Sequence, residues 1–398
     1  MPNPPLNKVL SEYGVTIFST MSALAVAHQA INLGQGFPDT DGPEDIRAVA
    51  AKALMDGPNQ YPPSQGLPEL RQAVAAHNAR FYGLQIDWQS QVLVTSGATE
   101  AVVASMLALL NPDDEVVLFE PMYDCYLPIA QLAGAVARPV RLRPPAWDLP
   151  RLELAAACND RTKLIVLNSP MNPTGKIFSR DELLFIAGLA VQYDAYVLCD
   201  EVYEHLTFDG EPHIPMMSLP NMAERSIRIG SAGKSFSLTG WKVGYITAPP
   251  PLVEIISKAH QFLTFTTAPN LQKAVAYGLG KDDAYFKMLA SDMQAKRDLL
   301  GNGLRRIGFD ILPCQGTYFI AADYSKFARP GEDDTAFCKR ITLEAGVAAV
   351  PFSAFSMAVM PGGAGAPPSE KLIRFCFCKQ DSVLQEALAR LQRYLVKG

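Results

Sequence analysis

A lysine stands among small residues in Gly230-Ser231-Ala232-Gly233-Lys234-Ser235, directly after the apolar run Ile227–Ile229. At the edge of a buried sheet an ammonium is poorly solvated. Desolvation and neighbouring cations lower its pKa, which is what an amine needs to form a Schiff base with a carbonyl. The same letters, Gly233-Lys234-Ser235, match the last three positions of a phosphate-binding P-loop. That motif requires a glycine five residues before Gly233, where this chain has Arg228.

Three other turns carry residues suited to chemistry. Asp200-Glu201-Val202-Tyr203 follows the run Tyr196–Cys199. A carboxylate at the end of a buried strand is costly without a cationic partner. The partner is either a structural ion-pair residue or a protonated heterocycle nitrogen, whose ring the carboxylate keeps electron-poor. Tyr203 would place a phenol beside the same ring. Asn168-Ser169-Pro170-Met171-Asn172-Pro173-Thr174-Gly175 follows Leu164–Leu167. Its prolines and glycine read first as a plain turn, with a fixed loop presenting the Asn172 amide as the alternative. Thr95-Ser96-Gly97-Ala98-Thr99-Glu100 follows Val92–Val94 and opens a helix. Free amides there favour an anion by about 0.3–2 kcal/mol, although any strand-to-helix turn can carry small residues.

These turns need strands that end together. The apolar runs 92–94, 116–119, 164–167, 196–199 and 227–229 are continuous, and helix-like stretches such as 99–110 and 180–193 separate them. Ser179-Arg180-Asp181-Glu182 has a capping-box pattern at the start of the second helix. This alternation predicts an α/β fold with a mostly parallel sheet covered on both faces, and ligands in such sheets lie outside the carboxyl ends of the strands. From about residue 286 a long charged helix (286–306), strand-like segments near 317–322 and 372–377 and a closing amphipathic helix form an α+β part. Met360 to Pro368 reads as a surface loop. The expected organisation is an arm over residues 1–40 that packs partly with the small domain, a large domain over 41–285 and a small C-terminal domain over 286–398.

The 398 residues carry a formal net charge of -5, with no basic footprint for nucleic acid. Seven scattered cysteines suit free thiols rather than a disulfide framework. Cys376 and Cys378 share one face of a strand, where packing is favoured over metal ligation, and no His or second Cys pair completes a zinc site. The N-terminal residues Met1–Pro5 lack a signal-peptide pattern, and the apolar stretches fall short of the ~20 residues that span a bilayer. A cytoplasmic protein without metal or membrane partner is expected.

Taken in order, Ser96-Gly97-Ala98-Thr99-Glu100, Asn172-Pro173-Thr174-Gly175, Asp200-Glu201-Val202-Tyr203, Ser231-Ala232-Gly233-Lys234 with Gly240-Trp241-Lys242-Val243-Gly244, and Ile373-Arg374-Phe375 resemble the fold type I (class I) pyridoxal-phosphate-dependent aminotransferases along nearly the whole chain. The resemblance implies a seven-stranded, mostly parallel sheet domain with a smaller α+β domain, and pyridoxal 5′-phosphate as cofactor. It implies that Lys234 forms the Schiff base and moves the substrate's α-proton, and that Asp200 pairs with the pyridine nitrogen. Tyr203 and Asn172 are similar to the pair that bonds the ring oxygen. Gly97, Ala98, Thr99, Ser231 and Lys242 resemble the phosphate cradle, although the family often has arginine where Lys242 stands. Tyr123 is similar to the ring-stacking aromatic. Tyr61 resembles a tyrosine that reaches the phosphate of the other subunit, which implies a homodimer with shared sites. Arg374 is similar to the arginine that grips the substrate carboxylate, with Gly36 and Asn172 beside it.

Leu33-Gly34-Gln35-Gly36-Phe37-Pro38-Asp39, Asn59-Gln60-Tyr61 and Asp200–His205 look most like the methionine, kynurenine and glutamine transaminase subgroup. Phe18, Tyr61, Tyr126 and Phe352 offer aromatic walls for such side chains, although each also suits core packing. The expected activity is ping-pong transfer of an amino group from an L-amino acid to a 2-oxo acid. Relatives that act on N-succinyl-diaminopimelate in lysine biosynthesis share these motifs, and a carbon–sulfur β-lyase reaction uses the same carbanion. A cofactor-sensing regulator would carry a DNA-binding domain, whereas only about 30 residues precede Asn32 here.

Overall fold

The computed structural model describes residues 6–363, 365 and 368–397, with the backbone alone at 397. Part of the loop expected over Met360–Pro368, and the opening Met1–Pro5, lie outside the described residues. The described residues form thirteen strands: β1 (Ile31–Asn32), β2 (Val92–Thr95), β3 (Glu115–Glu120), β4 (Val136–Arg141), β5 (Thr162–Asn168), β6 (Tyr196–Asp200), β7 (Ser226–Ser231), β8 (Gly244–Thr247), β9 (Asp310–Ile311), β10 (Phe319–Asp323), β11 (Val347–Ala348), β12 (Val350–Pro351) and β13 (Leu372–Cys376).

Seven of them form one sheet in the order β2-β8-β7-β6-β5-β3-β4. Only β8 runs antiparallel to its neighbours; the other pairings are parallel. The continuous apolar strands are buried along their whole length in β2, β3 and β7, as two covered faces require. Helices cover them because their ends are specified locally. Ser179 Oγ accepts from Glu182 N at 3.2 Å while Glu182 Oε2 accepts from Ser179 N at 2.8 Å, which starts the helix Arg180–Gln192. The long charged helix runs from Asp283 to Ile307, slightly longer than its sequence pattern.

A second, antiparallel sheet has the order β12-β13-β10-β9. The N-terminal segment is joined to this part of the chain. β1 pairs in parallel with β11, and Leu33 O accepts from Cys376 N at 2.7 Å. By length and composition Leu10–Ala27 could cross a membrane, but it is not one α-helix. Residues 13–16 interrupt it, and the helix Ile17–Ala27 has 11 residues, far fewer than the ~20 a span needs.

The ends of β6 and β7 are clamped by a buried ion cluster. Arg228, 1% exposed, donates to Glu201 Oε2 at 2.6 Å, to Glu204 Oε2, and to Asn78 Oδ1 at 2.9 Å. Removing the cation strands two buried carboxylates, which typically costs about 3–5 kcal/mol. Arg228→Met should therefore lower the urea midpoint of the protein markedly at neutral pH. An unchanged midpoint would remove Arg228 from its clamping role.

Candidate active site

A cavity of about 410 Å³ opens at the carboxyl ends of β2, β5, β6 and β7, where a parallel sheet leaves space for a ligand. Its far wall comes from elsewhere in the chain: Thr16, Phe18 and Gln35–Phe37 from the N-terminal segment, Phe319 from β10 and Arg374 from β13.

Lys234 follows β7 on a single helical turn, Ala232–Ser235, and reaches the cavity. Its Nζ lies 3.4 Å from Gly36 O and 5.5 Å from the centre of the Tyr203 ring, with no salt bridge among the described residues. Burial lowers its pKa, against the opposing pull of Cys376 and Asp200. A neutral amine, able to act as nucleophile or base, is thus available at lower pH than on a surface lysine.

Asp200 closes β6 at 7% exposure. Burial raises its pKa, while the Tyr126 hydroxyl, donating to Oδ2 at 2.5 Å, favours the ionised form. Asn168, at the end of β5, donates to Asp200 O at 2.8 Å and accepts from Asn172 N at 2.8 Å, which fixes the proline-containing loop against β6. Tyr203 sits in the turn after β6, buried against Tyr318, and its hydroxyl has no partner among the described residues.

Arg374 is 2% exposed and has no carboxylate partner among the described residues. Its Nη1 donates to Asn172 Oδ1 at 2.7 Å, its Nη2 to Gly34 O at 2.8 Å, and its Nε is unpaired. The guanidinium carbon lies 3.8 Å from the Phe319 ring centre, 4.8 Å from that of Phe355 and 5.5 Å from that of Phe18. Burial lowers its pKa to about 10, so it remains a cation at neutral pH. A buried cation surrounded by neutral groups is a site for an anion. Gly36 is required nearby, because a Cβ there would lie 2.3 Å from Phe319 Cζ.

The opposite end of the cavity offers a second anion site. The helix Ala98–Leu109 starts at Gly97 with no side-chain cap, so its first amides stay available. Gly97 has φ +85°, and a Cβ there would lie 3.2 Å from Lys242 Nζ, so glycine lets that ammonium approach the helix start. Ser231, Thr99, Ala98 and Tyr123 line the same cavity.

The structure thus gathers Lys234, Asp200, Tyr203, Asn172, Gly97, Ala98, Thr99, Tyr123, Ser231, Lys242, Gly36, Arg374 and Phe18 around one cavity. Three residues expected on the substrate wall or at the phosphate are elsewhere. Tyr126 is buried behind the wall and directs its hydroxyl to Asp200 instead of to substrate. Phe352 is buried, stacks on Trp147 at 5.5 Å and does not line this cavity. Tyr61 is 83% exposed and touches Phe265 edge-to-face at 5.3 Å, away from this chain's own cavity. Sequence reasoning missed Asn168, Asp124, Cys125 and Phe319 on the lining. Asn168 carried a usable signal, as the last residue of a buried parallel strand. Phe319 carried none, because a distant sheet brings it in.

A family model for class I and II aminotransferases matches residues 28–391. The chain is 40% identical over 395 residues to a methionine aminotransferase of Escherichia coli, covering 99% of this chain and 100% of that one. It is 44% identical over 387 residues to a probable N-succinyldiaminopimelate aminotransferase of Mycobacterium tuberculosis, covering 96% of each. Solved structures of a methionine aminotransferase from the first organism and an N-succinyldiaminopimelate aminotransferase from the second both superpose with a TM-score of 0.93, over 98% of this chain and 100% and 99% of theirs. With the family model spanning most of its length and the site at the strand ends, the chain belongs to the class I and II aminotransferases.

Proposed function

We propose that the cavity holds pyridoxal 5′-phosphate and that the enzyme transfers amino groups from L-amino acids with uncharged side chains, of the methionine, aromatic or glutamine type, to a 2-oxo acid. The carrying observation is that an amine, a carboxylate and a guanidinium, Lys234, Asp200 and Arg374, are packed around one cavity with no ion pair to any of them among the described residues. Such charges are costly unless a ligand completes them.

The residues present fit this cofactor. The amides at Ala98 and Thr99, with Ser231 and Lys242, suit its phosphate, and Asp200 suits a protonated ring nitrogen. Tyr203 and the Asn172 Nδ2 group, left free because Oδ1 is held by Arg374, suit the ring oxygen, and Tyr123 suits a ring face. When bound, the cofactor draws electron density from the substrate's α-carbon. Lys234 Nζ then removes the α-proton and holds it for return, on the same side as the Gly36 carbonyl. Arg374 orients the substrate by its carboxylate, using the guanidinium hydrogens that Asn172 and Gly34 leave free. Asp200 retains the ring proton, and Tyr126 holds Asp200 in place.

Side-chain selection rests on charge. The lining carries three cations, Lys234, Lys242 and Arg374, each already assigned, and one further carboxylate, Asp124. A donor with additional carboxylates would find no further cation among the described lining residues, whereas Phe18, Phe37 and Phe319 suit an apolar or aromatic group. The exposed aromatic pair Tyr61 and Phe265 supports a second copy as partner, with Tyr61 directed to its cavity.

Lys234→Ala should retain the fold and lose turnover by several orders of magnitude; measurable cycling would remove the lysine from its role. Arg374→Lys should raise the donor KM at least tenfold, because charge-assisted hydrogen bonds are worth roughly 1.5–3 kcal/mol and lysine loses the fork. Adding L-methionine or N-succinyl-L,L-diaminopimelate to the loaded enzyme without a 2-oxo acid decides the donor. Bleaching of the cofactor's visible band by methionine is the expected result, and a fast response to the succinylated compound alone would overturn the uncharged-donor reading.

A further inference from the structure

Behind the wall formed by Arg374 and Lys234 lies a pair of thiols that the transamination chemistry does not use. Cys376 ends β13 and Cys378 follows two residues later, both buried, with their sulfurs 3.2 Å apart. Alternation along β13 puts Arg374 and Cys376 on one face, and Cys378 lies just past the strand's end. We propose that Cys376 and Cys378 are a reversible peroxide-oxidised site, a disulfide-forming pair whose oxidation weakens the grip of Arg374 on the substrate carboxylate.

The geometry already meets most of the requirement. The sulfurs need approach by roughly 1 Å to reach bonding distance. Two residues of extended chain span about 6.4–6.8 Å between Cα atoms, the upper end of what a disulfide tolerates. The bond therefore forms under strain, and strained disulfides are the easily reduced ones. Chemistry favours Cys376 as the attacking sulfur. Burial works against its thiolate, but the Cys378 thiol donating to it, with Lys379 and Arg374 near, brings its pKa down to about 7. Cys378, buried and beside that thiolate, is raised and stays the protonated donor.

The electron balance is complete with a hydroperoxide as oxidant. The Cys376 thiolate attacks one peroxide oxygen, the O–O bond breaks and hydroxide leaves, giving a sulfenic acid. The Cys378 sulfur then attacks the Cys376 sulfur, the S–O bond breaks, and the Cys378 proton leaves with the oxygen as water. Two thiols lose two electrons, and one peroxide becomes two waters. A small dithiol reverses the bond by exchange.

The consequence follows from what β13 holds. Cys376 N donates to Leu33 O at 2.7 Å, Arg374 Nη2 to Gly34 O at 2.8 Å, and Lys379 Nζ to Phe37 O at 2.6 Å. Drawing residues 376 and 378 together pulls on all three links, and so on the loop that carries Gly36 to Lys234. That kinetic effect rests on Arg374 being the carboxylate grip; formation of the disulfide does not.

The test treats the loaded enzyme with hydrogen peroxide, alkylates free thiols, and maps the peptide containing residues 372–380 by mass. The expected result is loss of two hydrogens with no alkylation at either cysteine, a donor KM raised at least threefold with smaller change in kcat, and full reversal by dithiothreitol. Cys378→Ser, or Cys378→Ala should the serine fold poorly, should keep basal kinetics within about twofold and lose the peroxide-dependent rise in KM. Two intact thiols in that peptide would overturn the proposal. An equal KM rise in the Cys378 variants would also overturn it, by assigning the effect to Cys125 on the cavity wall. A disulfide that forms without any change in KM would overturn the coupling to Arg374 and leave the transaminase reading intact.

Discussion

The hydrogen bond from Arg374 Nη1 to Asn172 Oδ1 at 2.7 Å joins two sheets that have no strand in common. Arg374 lies on β13 of the antiparallel sheet, and Asn172 lies in the loop after β5 of the parallel one. Because neither acceptor of the guanidinium is charged, the bond holds the two parts in register without discharging the cation. The arrangement propagates. With Oδ1 engaged, the Asn172 amide must present its donor side elsewhere, and Asn168 fixes its backbone. With Gly34 O engaged, the loop that follows places the Gly36 carbonyl within 3.4 Å of Lys234 Nζ.

Energetically this is a site built to be incomplete. Burying an unpaired cation or carboxylate costs several kcal/mol after relaxation, so the fold stabilises Arg374 by three aromatic faces and Asp200 by a phenol instead of by opposite charges. An internal salt bridge would be more stable and would leave nothing to bind. Binding energy for charged ligands is then available because the groups have already been desolvated by folding, and the ligand need not displace a protein partner.

Much of this was legible in the sequence where chemistry follows directly on a strand. The runs before Gly97, Asn168, Asp200 and Ser231 are continuous and apolar, so the strands, their parallel pairing and the position of the ligand follow from pattern alone. The gaps have physical causes. β4 is an edge strand containing Pro139 with Arg138 and Arg141, and it lacks the apolar run of a central strand. β8, four residues long and antiparallel, lies behind the glycine-rich Gly240–Gly244 segment, which reads as a loop. Tyr126 and Phe352 look like pocket walls because an aromatic residue near a motif gives no sign of which way its ring faces. Only the packing of Phe352 on Trp147 and the bond from Tyr126 to Asp200 decide it.

The turn Asp200–Glu204 shows how one short segment separates stability from chemistry. Three of its five residues are acidic and buried. Successive side chains leave a strand on opposite faces, so Asp200 faces the cavity and Glu201 faces away from it. On the far face Arg228 meets both Glu201 and Glu204, and against the cost of burial it holds Glu204 well below the ordinary carboxylate range. On the near face Asp200 receives, among the described residues, the Tyr126 hydroxyl and a long contact from Val202 N at 3.4 Å, and burial raises its pKa. The paired carboxylates anchor the end of β6, and that anchoring allows the unpaired one beside them to be held in place without a counter-ion of its own. A cation introduced beside Asp200 would tighten the fold and remove the unpaired charge that the cavity presents.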